Sequence, residues 1–315
     1  MQRRSTGWQR GTTMSKTLYL ECYSGISGDM TVAALLDLGA DREVLKESLK
    51  SLPVGGFRTE ITRVKKSGLD ACDFSVILEQ DNHDHDMEYL HGSEKSYAGH
   101  HEHSHEVNHE HHHGHTHSHE HPHEHRGMKE ITEIIQKSEM TARAKKMAMR
   151  VFGILAQAES KAHGVPVEEV HFHEVGAVDS IVDIAAIAIC MDNLDISNVI
   201  VPVLYEGTGF IRCQHGQIPV PVPAVTHIAE THKLKLKITD IQGELVTPTG
   251  AAVVAAFRTS DRLPEDFTML KTGIGAGKRQ YRCPGILRAM LIRETTDLQI
   301  KDIIWKLETD MDDCG

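Results

Sequence analysis

Between Asp81 and Gly127 the chain carries almost no apolar side chains, and 17 of its 23 histidines fall there. Such a segment cannot bury enough apolar surface to offset the entropy lost on ordering, so it is expected to stay disordered unless metal binds. The fold must then be built from what flanks it, roughly residues 14–80 and 128–302, with 303–315 as the start of a linker. Within residues 100–125, 14 of 26 positions are histidine. Neutral imidazole suits Ni, Cu, Zn and Co near pH 7. His101, His103, His105, His111, His113, His115, His117, His119, His121, His123 and His125 are therefore expected metal ligands. A flexible tract cannot hold ligands within the tolerances a reaction needs, which points to storage or delivery of metal and away from catalysis.

Both flanks alternate strand, glycine-rich loop and helix, the pattern of layered α/β architecture. "KTLYLECYSGISGDMTVAALLDLGAD" predicts a strand, a Gly/Ser loop and a helix capped by Ser27 or Asp29. "FRTEITRVKK" and "ACDFSVILEQ" predict two strands joined through "SGLD". After the tract, "MKEITEIIQKSEM" and "TARAKKMAMRVFGILAQAESKAHG" have helical spacing and predict an antiparallel pair. A buried, Ala- and Ile-rich helix is expected from near Val178. "FTMLKTGIGAGKRQYRCPGILRAMLIRE" predicts two strands around a Gly/basic loop.

The formal charge of −11, without any basic stripe, argues against a general nucleic-acid binder. No apolar run reaches the ~18 residues of a membrane span, and the N-terminus has no apolar core of a secretory signal. A cytoplasmic location is the expectation, with residues 1–13 a leader and Met14 the natural start. The six cysteines lack CxxC spacing and suit reduced thiols; Cys22 and Cys213, beside Gly-rich loops, are the candidates for a metal role.

Several short constellations could carry chemistry. In "YSGISGDM", Ser24, Gly25, Ser27 and Gly28 would present N–H groups at a helix start, where phosphate or carboxylate is received, and Asp29 adds a carboxylate suited to a divalent cation. Gly/Ser loops also join strands to helices for geometric reasons alone. "VHFHEVGAVDSIVDI" is sharper. His171 and His173 share one side of an extended stretch, Glu174 follows, and Asp179 and Asp183 lie four apart on one helical face. In the plainer alternative Asp179 caps the helix and the histidines are surface residues. Thr208 in "GTGFIRCQHG" stands near Arg212 and His215. Thr247, Thr249 and Gly250 in "ELVTPTGAA" resemble a second anion loop, and Lys278 and Arg279 in "KTGIGAGKRQ" suit a phosphate contact, though a basic hairpin would look the same. The GxxxxGK[ST] spacing of a P-loop is absent.

These stretches, in this order and around a His-rich insertion, resemble the LarC family of nickel-insertion proteins over residues 14–313. The resemblance implies a CTP-dependent cyclometallase, a lyase. It would insert Ni(II) into pyridinium-3,5-bisthiocarboxylic acid mononucleotide, making the metal–carbon and metal–sulfur bonds of the pincer cofactor of lactate racemase-like enzymes. His171, His173 and Glu174 become the expected nickel site, with Asp179 and Asp183 as further catalytic carboxylates. In the family, a motif like "LETDMDD" leads into a domain that binds CTP with Mn or Mg, whereas this sequence stops at "DDCG". A separately encoded or frameshifted C-terminal part is therefore an expected partner, as are a homo-oligomer and the apo racemase. A nickel store or metallochaperone without chemistry of its own is the alternative.

Overall fold

The computed structural model describes residues 16–79, 126–172, 177–213 and 216–294. The histidine tract, His173, Glu174 and His215 lie outside them, and His171 is described through its backbone. The described residues form an α/β fold around one six-stranded mixed sheet. Three of its strands precede the tract: β1 (Lys16–Glu21), β2 (Phe57–Lys66) and β3 (Leu69–Leu78). The others follow it: β6 (Ile196–Ile200), β11 (Phe267–Ala276) and β12 (Ile286–Glu294). Their order is β2-β3-β11-β12-β1-β6. Strands from both flanks are thus hydrogen-bonded into one sheet. β1 runs parallel to β6 and antiparallel to β12, and β3 meets β11 in parallel at Cys72 and Gly275.

Helix α1 (Gly28–Leu38) lies on this sheet with Val32, Ala33, Ala34 and Leu35 fully buried. Its approach is close because Gly273 and Gly275 face it from β11: a Cβ at Gly275 would lie 2.0 Å from the Met30 carbonyl oxygen, and one at Gly273 2.3 Å from that of Ala34. This corrects the sequence expectation for "KTGIGAGKRQ". Its first two glycines are strand residues that admit a helix backbone, and only Gly277 opens the loop.

Six more helices complete the described fold. α2 (Arg42–Lys50) is capped by Asp41, whose carboxylate accepts from the N–H of Glu43 and Val44. α3 (Met128–Lys137) and α4 (Ala142–His163) follow the tract, and Thr141 caps α4 through the Ala144 N–H. α5 (Val178–Asn193) is the expected apolar helix, with Ile181, Val182, Ala185, Ala186, Ile187 and Ala188 fully buried. It packs on α1 and α4. α6 (Pro223–His232) and α7 (Pro248–Phe257) pack on α4 as well, both with proline in the first turn, where its missing N–H costs nothing. Three small pairs lie apart from the main sheet. β4 (Arg126–Gly127) pairs antiparallel with β5 (His171–Phe172), β7 (Leu204–Thr208) parallel with β10 (Leu236–Gln242), and β8 (Phe210–Cys213) antiparallel with β9 (Gly216–Pro219). No described helix is long and apolar enough to cross a membrane.

Candidate functional site

The loop after β1 and the loop before α7 interlock at the end of the sheet where α1 begins. Gly25 turns with φ +84°, a conformation glycine adopts without strain, and its N–H donates to the Cys22 carbonyl. Ile26 N–H donates to the Leu245 carbonyl at 3.0 Å, and Thr247 N–H returns a bond to the Ile26 carbonyl at 3.1 Å. Space between the loops is so tight that a Cβ at Gly25 would fall 2.0 Å from the Leu245 oxygen, and one at Gly250 2.2 Å from the Ile26 oxygen. The two candidate anion loops, 220 residues apart in sequence, are therefore one structure.

Within it the predicted donors are partly engaged. Thr247 caps α7, its hydroxyl oxygen accepting from the Gly250 N–H at 3.1 Å, so both already have partners. Thr249 is the second residue of α7 and half-buried. Thr208 closes β7, its carbonyl accepting from the Gly243 N–H. Ser27 is the N-cap residue of α1, but its hydroxyl donates to the Asp29 carboxylate and makes no cap bond to the helix backbone. Ser24 is half-buried in the same loop.

Three aspartates gather at this mouth. Asp29 stands in the first turn of α1, and Asp179 and Asp183 in the first two turns of α5. α5 is brought in by Gly28, whose missing side chain lets Asp183 approach: a Cβ there would lie 2.6 Å from Asp183 Oδ2. The N-cap residue of α5 is Ala177, so Asp179 is not its cap. Asp179 Oδ1 and Asp183 Oδ1 are sealed from solvent and have no hydrogen-bond partner among the described residues. Burial pushes the Asp183 carboxyl well above its ordinary range, and the charges of Asp29 and Asp179 push the same way against Lys278. Burial also raises Asp29, but the Ser27 hydroxyl, Lys278 and the Met30 N–H oppose it, while Asp73 adds to the rise. Lys278, expected to contact phosphate, bridges Asp73 and Ser75 of β3, with Nζ 2.6 Å from the Ser75 hydroxyl.

Sequence reasoning missed the anchor of the second loop. Glu206 of β7 is fully buried, and its Oε1 accepts N–H bonds from Gly207, Leu245 and Val246 at 2.7, 2.8 and 3.1 Å. Burial raises its carboxyl against the pull of those three N–H groups and of Arg279. Arg279, for which a phosphate contact and a basic hairpin were both open, is ion-paired to the buried Glu244 at 2.8 Å, and Tyr281 donates to the Glu244 carbonyl. The available signal was a lone carboxylate inside an apolar strand, which is expensive to bury without partners.

Among the described residues no group of three or more His, Cys, Asp or Glu has the arrangement of a ready metal site. His173 and Glu174, on which the nickel expectation rested, lie outside them. The backbone of His171 pairs with Gly127, at the C-terminal border of the tract. Cys22 is fully buried, and burial, with Glu21 adding to it, pushes its thiol far up, which disfavours the thiolate a metal requires. Cys213 is half-buried, and the five described cysteines form no disulfide with one another.

Residues 18–315 match the model of a family described as nickel insertion protein. The pyridinium-3,5-bisthiocarboxylic acid mononucleotide nickel insertion protein of Alkaliphilus metalliredigens is 49% identical, over 95% of this chain and 69% of its own length. Proteins of the same name from Clostridium acetobutylicum and Acetivibrio thermocellus are 42% and 35% identical, again over 95% of this chain and over 69% and 65% of their own lengths. The chain thus spans about two thirds of the length of these relatives. No solved structure matches it.

Proposed function

Because the chain belongs to the nickel insertion protein family, we propose that it inserts Ni(II) into pyridinium-3,5-bisthiocarboxylic acid mononucleotide, the molecule in its relatives' names. The observation that carries this is the gathering of Asp29, Asp179 and Asp183 at a mouth lined by two interlocked helix-start loops. Nickel bonding to the ring carbon releases one proton, and a site that performs it needs an ionised carboxylate in position to take it. Helix starts favour the substrate's anionic groups, here the α1 start at Gly28–Asp29 and the α7 start at Thr249. Ni(II) is cargo, captured by the histidine tract and passed to His171, His173 and Glu174. The β4–β5 pairing supports that route, because it ties the border of the tract to the strand that carries His171.

CTP with Mn or Mg, a C-terminal partner, a homo-oligomer and delivery to an apo racemase belong to this proposal through the resemblance alone. A cytoplasmic setting is supported by the free thiols. The concentration of histidine in residues 100–125 favours a second reading, a nickel store without chemistry of its own.

Nickel calorimetry separates the two. It compares the full chain, the chain lacking residues 81–125, and that deletion with His171→Ala and His173→Ala. One tight site that survives the deletion and vanishes with the double substitution supports insertion. Loss of all binding with the tract supports storage.

A further inference from the structure

We propose that Asp29 is the base that removes the ring proton of the pyridinium substrate as nickel bonds to carbon, with Asp183 beside it as a neutral carboxyl group. This rests on the nickel-insertion reading above. The two thiocarboxylates at ring positions 3 and 5 leave one carbon between them, and that carbon carries hydrogen. Metallation there breaks the C–H bond. Its electron pair becomes the nickel–carbon bond and its proton leaves to a base, with no change of oxidation state.

The geometry separates the aspartates into two roles. Asp29 is the carboxylate with donors: burial raises it, but the Ser27 hydroxyl bonds it directly and the Lys278 ammonium and the Met30 N–H favour its charged form, so it is raised less than Asp183. Asp183 has none of these on Oδ1, which is sealed and unpartnered, and it sits against Gly28, one residue from Asp29. Two carboxylates this close cannot both ionise cheaply where the Lys278 charge that acts on both also serves Asp73. The pair therefore holds a proton, seated on Asp183, and the charge stays on Asp29. Environments that push two like groups apart define an acid and a base. The facing titratable groups are Asp179 on α5, Asp73 on β3 and Lys278 in the β11–β12 loop.

The test follows hydrogen exchange at that ring carbon. The probe is pyridinium-3,5-bisthiocarboxylic acid mononucleotide deuterated there, incubated with the full chain with and without Ni(II) and read by proton NMR. Asp29→Asn should slow exchange about a hundredfold or more when the chains are compared at saturating mononucleotide, so that a change in affinity does not enter. Asp183→Asn puts one neutral group in place of another and should slow exchange far less than Asp29→Asn at neutral pH. Ser27→Ala keeps Asp29 but removes its donor, and should move the acid limb of the exchange rate to higher pH. Exchange that persists in Asp29→Asn, falls equally in Asp183→Asn, or is never accelerated by a chain that binds the mononucleotide overturns the assignment, whether or not nickel is inserted. Failure of the mononucleotide to bind overturns the parent reading as well.

Discussion

Gly28 and Asp183 are in contact across the α1–α5 interface: the glycine's missing Cβ is the space that Asp183 Oδ2 fills. In an ordinary helix, replacing glycine with alanine gains up to about 1 kcal/mol. Here the sign should reverse. An alanine methyl would lie 2.6 Å from Oδ2 and 3.0 Å from the Asp183 Cβ, so the aspartate must swing away. Gly28→Ala is expected to cost about 1–3 kcal/mol, the range of overpacked interiors. Asp183→Ala in the same chain should restore most of it, and chemical denaturation of the two single variants and the double variant reads this as a coupling energy.

The upward shifts of Asp183 and Glu206 fix how stability depends on pH. A carboxyl whose folded value is raised binds more protons folded than unfolded between the two values. Stability therefore falls as pH rises above the unfolded value, about 4, until the folded group ionises. The melting temperature should be highest in mild acid and decline toward neutrality. Asp183→Asn should flatten part of that decline and raise the melting temperature at neutral pH. A variant that melts with the unsubstituted profile would show that Asp183 is ionised or solvated in the fold.

Gly275 makes the same point within the sheet. Strand glycine weakens a strand, and alanine would normally add about 0.5–1 kcal/mol. Gly275→Ala should instead destabilise by about 2 kcal/mol or more, because its Cβ would lie 2.0 Å from the Met30 oxygen and 2.5 Å from the Ala34 nitrogen, backbone that cannot step aside. Pushing α1 off the sheet also displaces Asp29, one residue from Met30. Binding of the mononucleotide should therefore weaken alongside the melting temperature, which thermal melts and calorimetry on one preparation can compare.

This glycine shows where local reading of the sequence stops. Periodicity located α1, β2, β3, α5 and the paired strands β11 and β12, because each buries a face that its own side chains announce. It could not separate Gly273 and Gly275, which serve helix approach, from Gly277, which opens a turn: all three are glycines in one run, and the partner backbone is more than 230 residues away. Asp29 and Asp183 were both singled out, yet their adjacency depends on Gly28 and the α1–α5 crossing, which no local pattern encodes. The interlocking of the loops at Ile26 and Val246 was equally invisible, since it consists of backbone bonds. The ion pair of Arg279 with Glu244 was not legible either, because a phosphate contact, a basic hairpin and an internal ion pair have the same composition.

Glu206 offers the cleanest separation of shape from charge. One of its oxygens holds three N–H groups, two of them from the loop that leads into Thr247 and α7, while the other has no partner among the described residues. Glu206→Ala leaves three inward-facing donors without an acceptor and should cost about 3 kcal/mol or more. It should also loosen the 244–247 turn and weaken phosphate or mononucleotide binding. Glu206→Gln keeps a carbonyl oxygen on the same three donors and removes a charge that is expensive to bury. Its stability should stay within about 1 kcal/mol of the unsubstituted chain, with binding preserved and the fall in stability toward neutral pH reduced. If glutamine fails as badly as alanine, the charge itself is required, and Glu206 acts on Arg279 as well as on the turn.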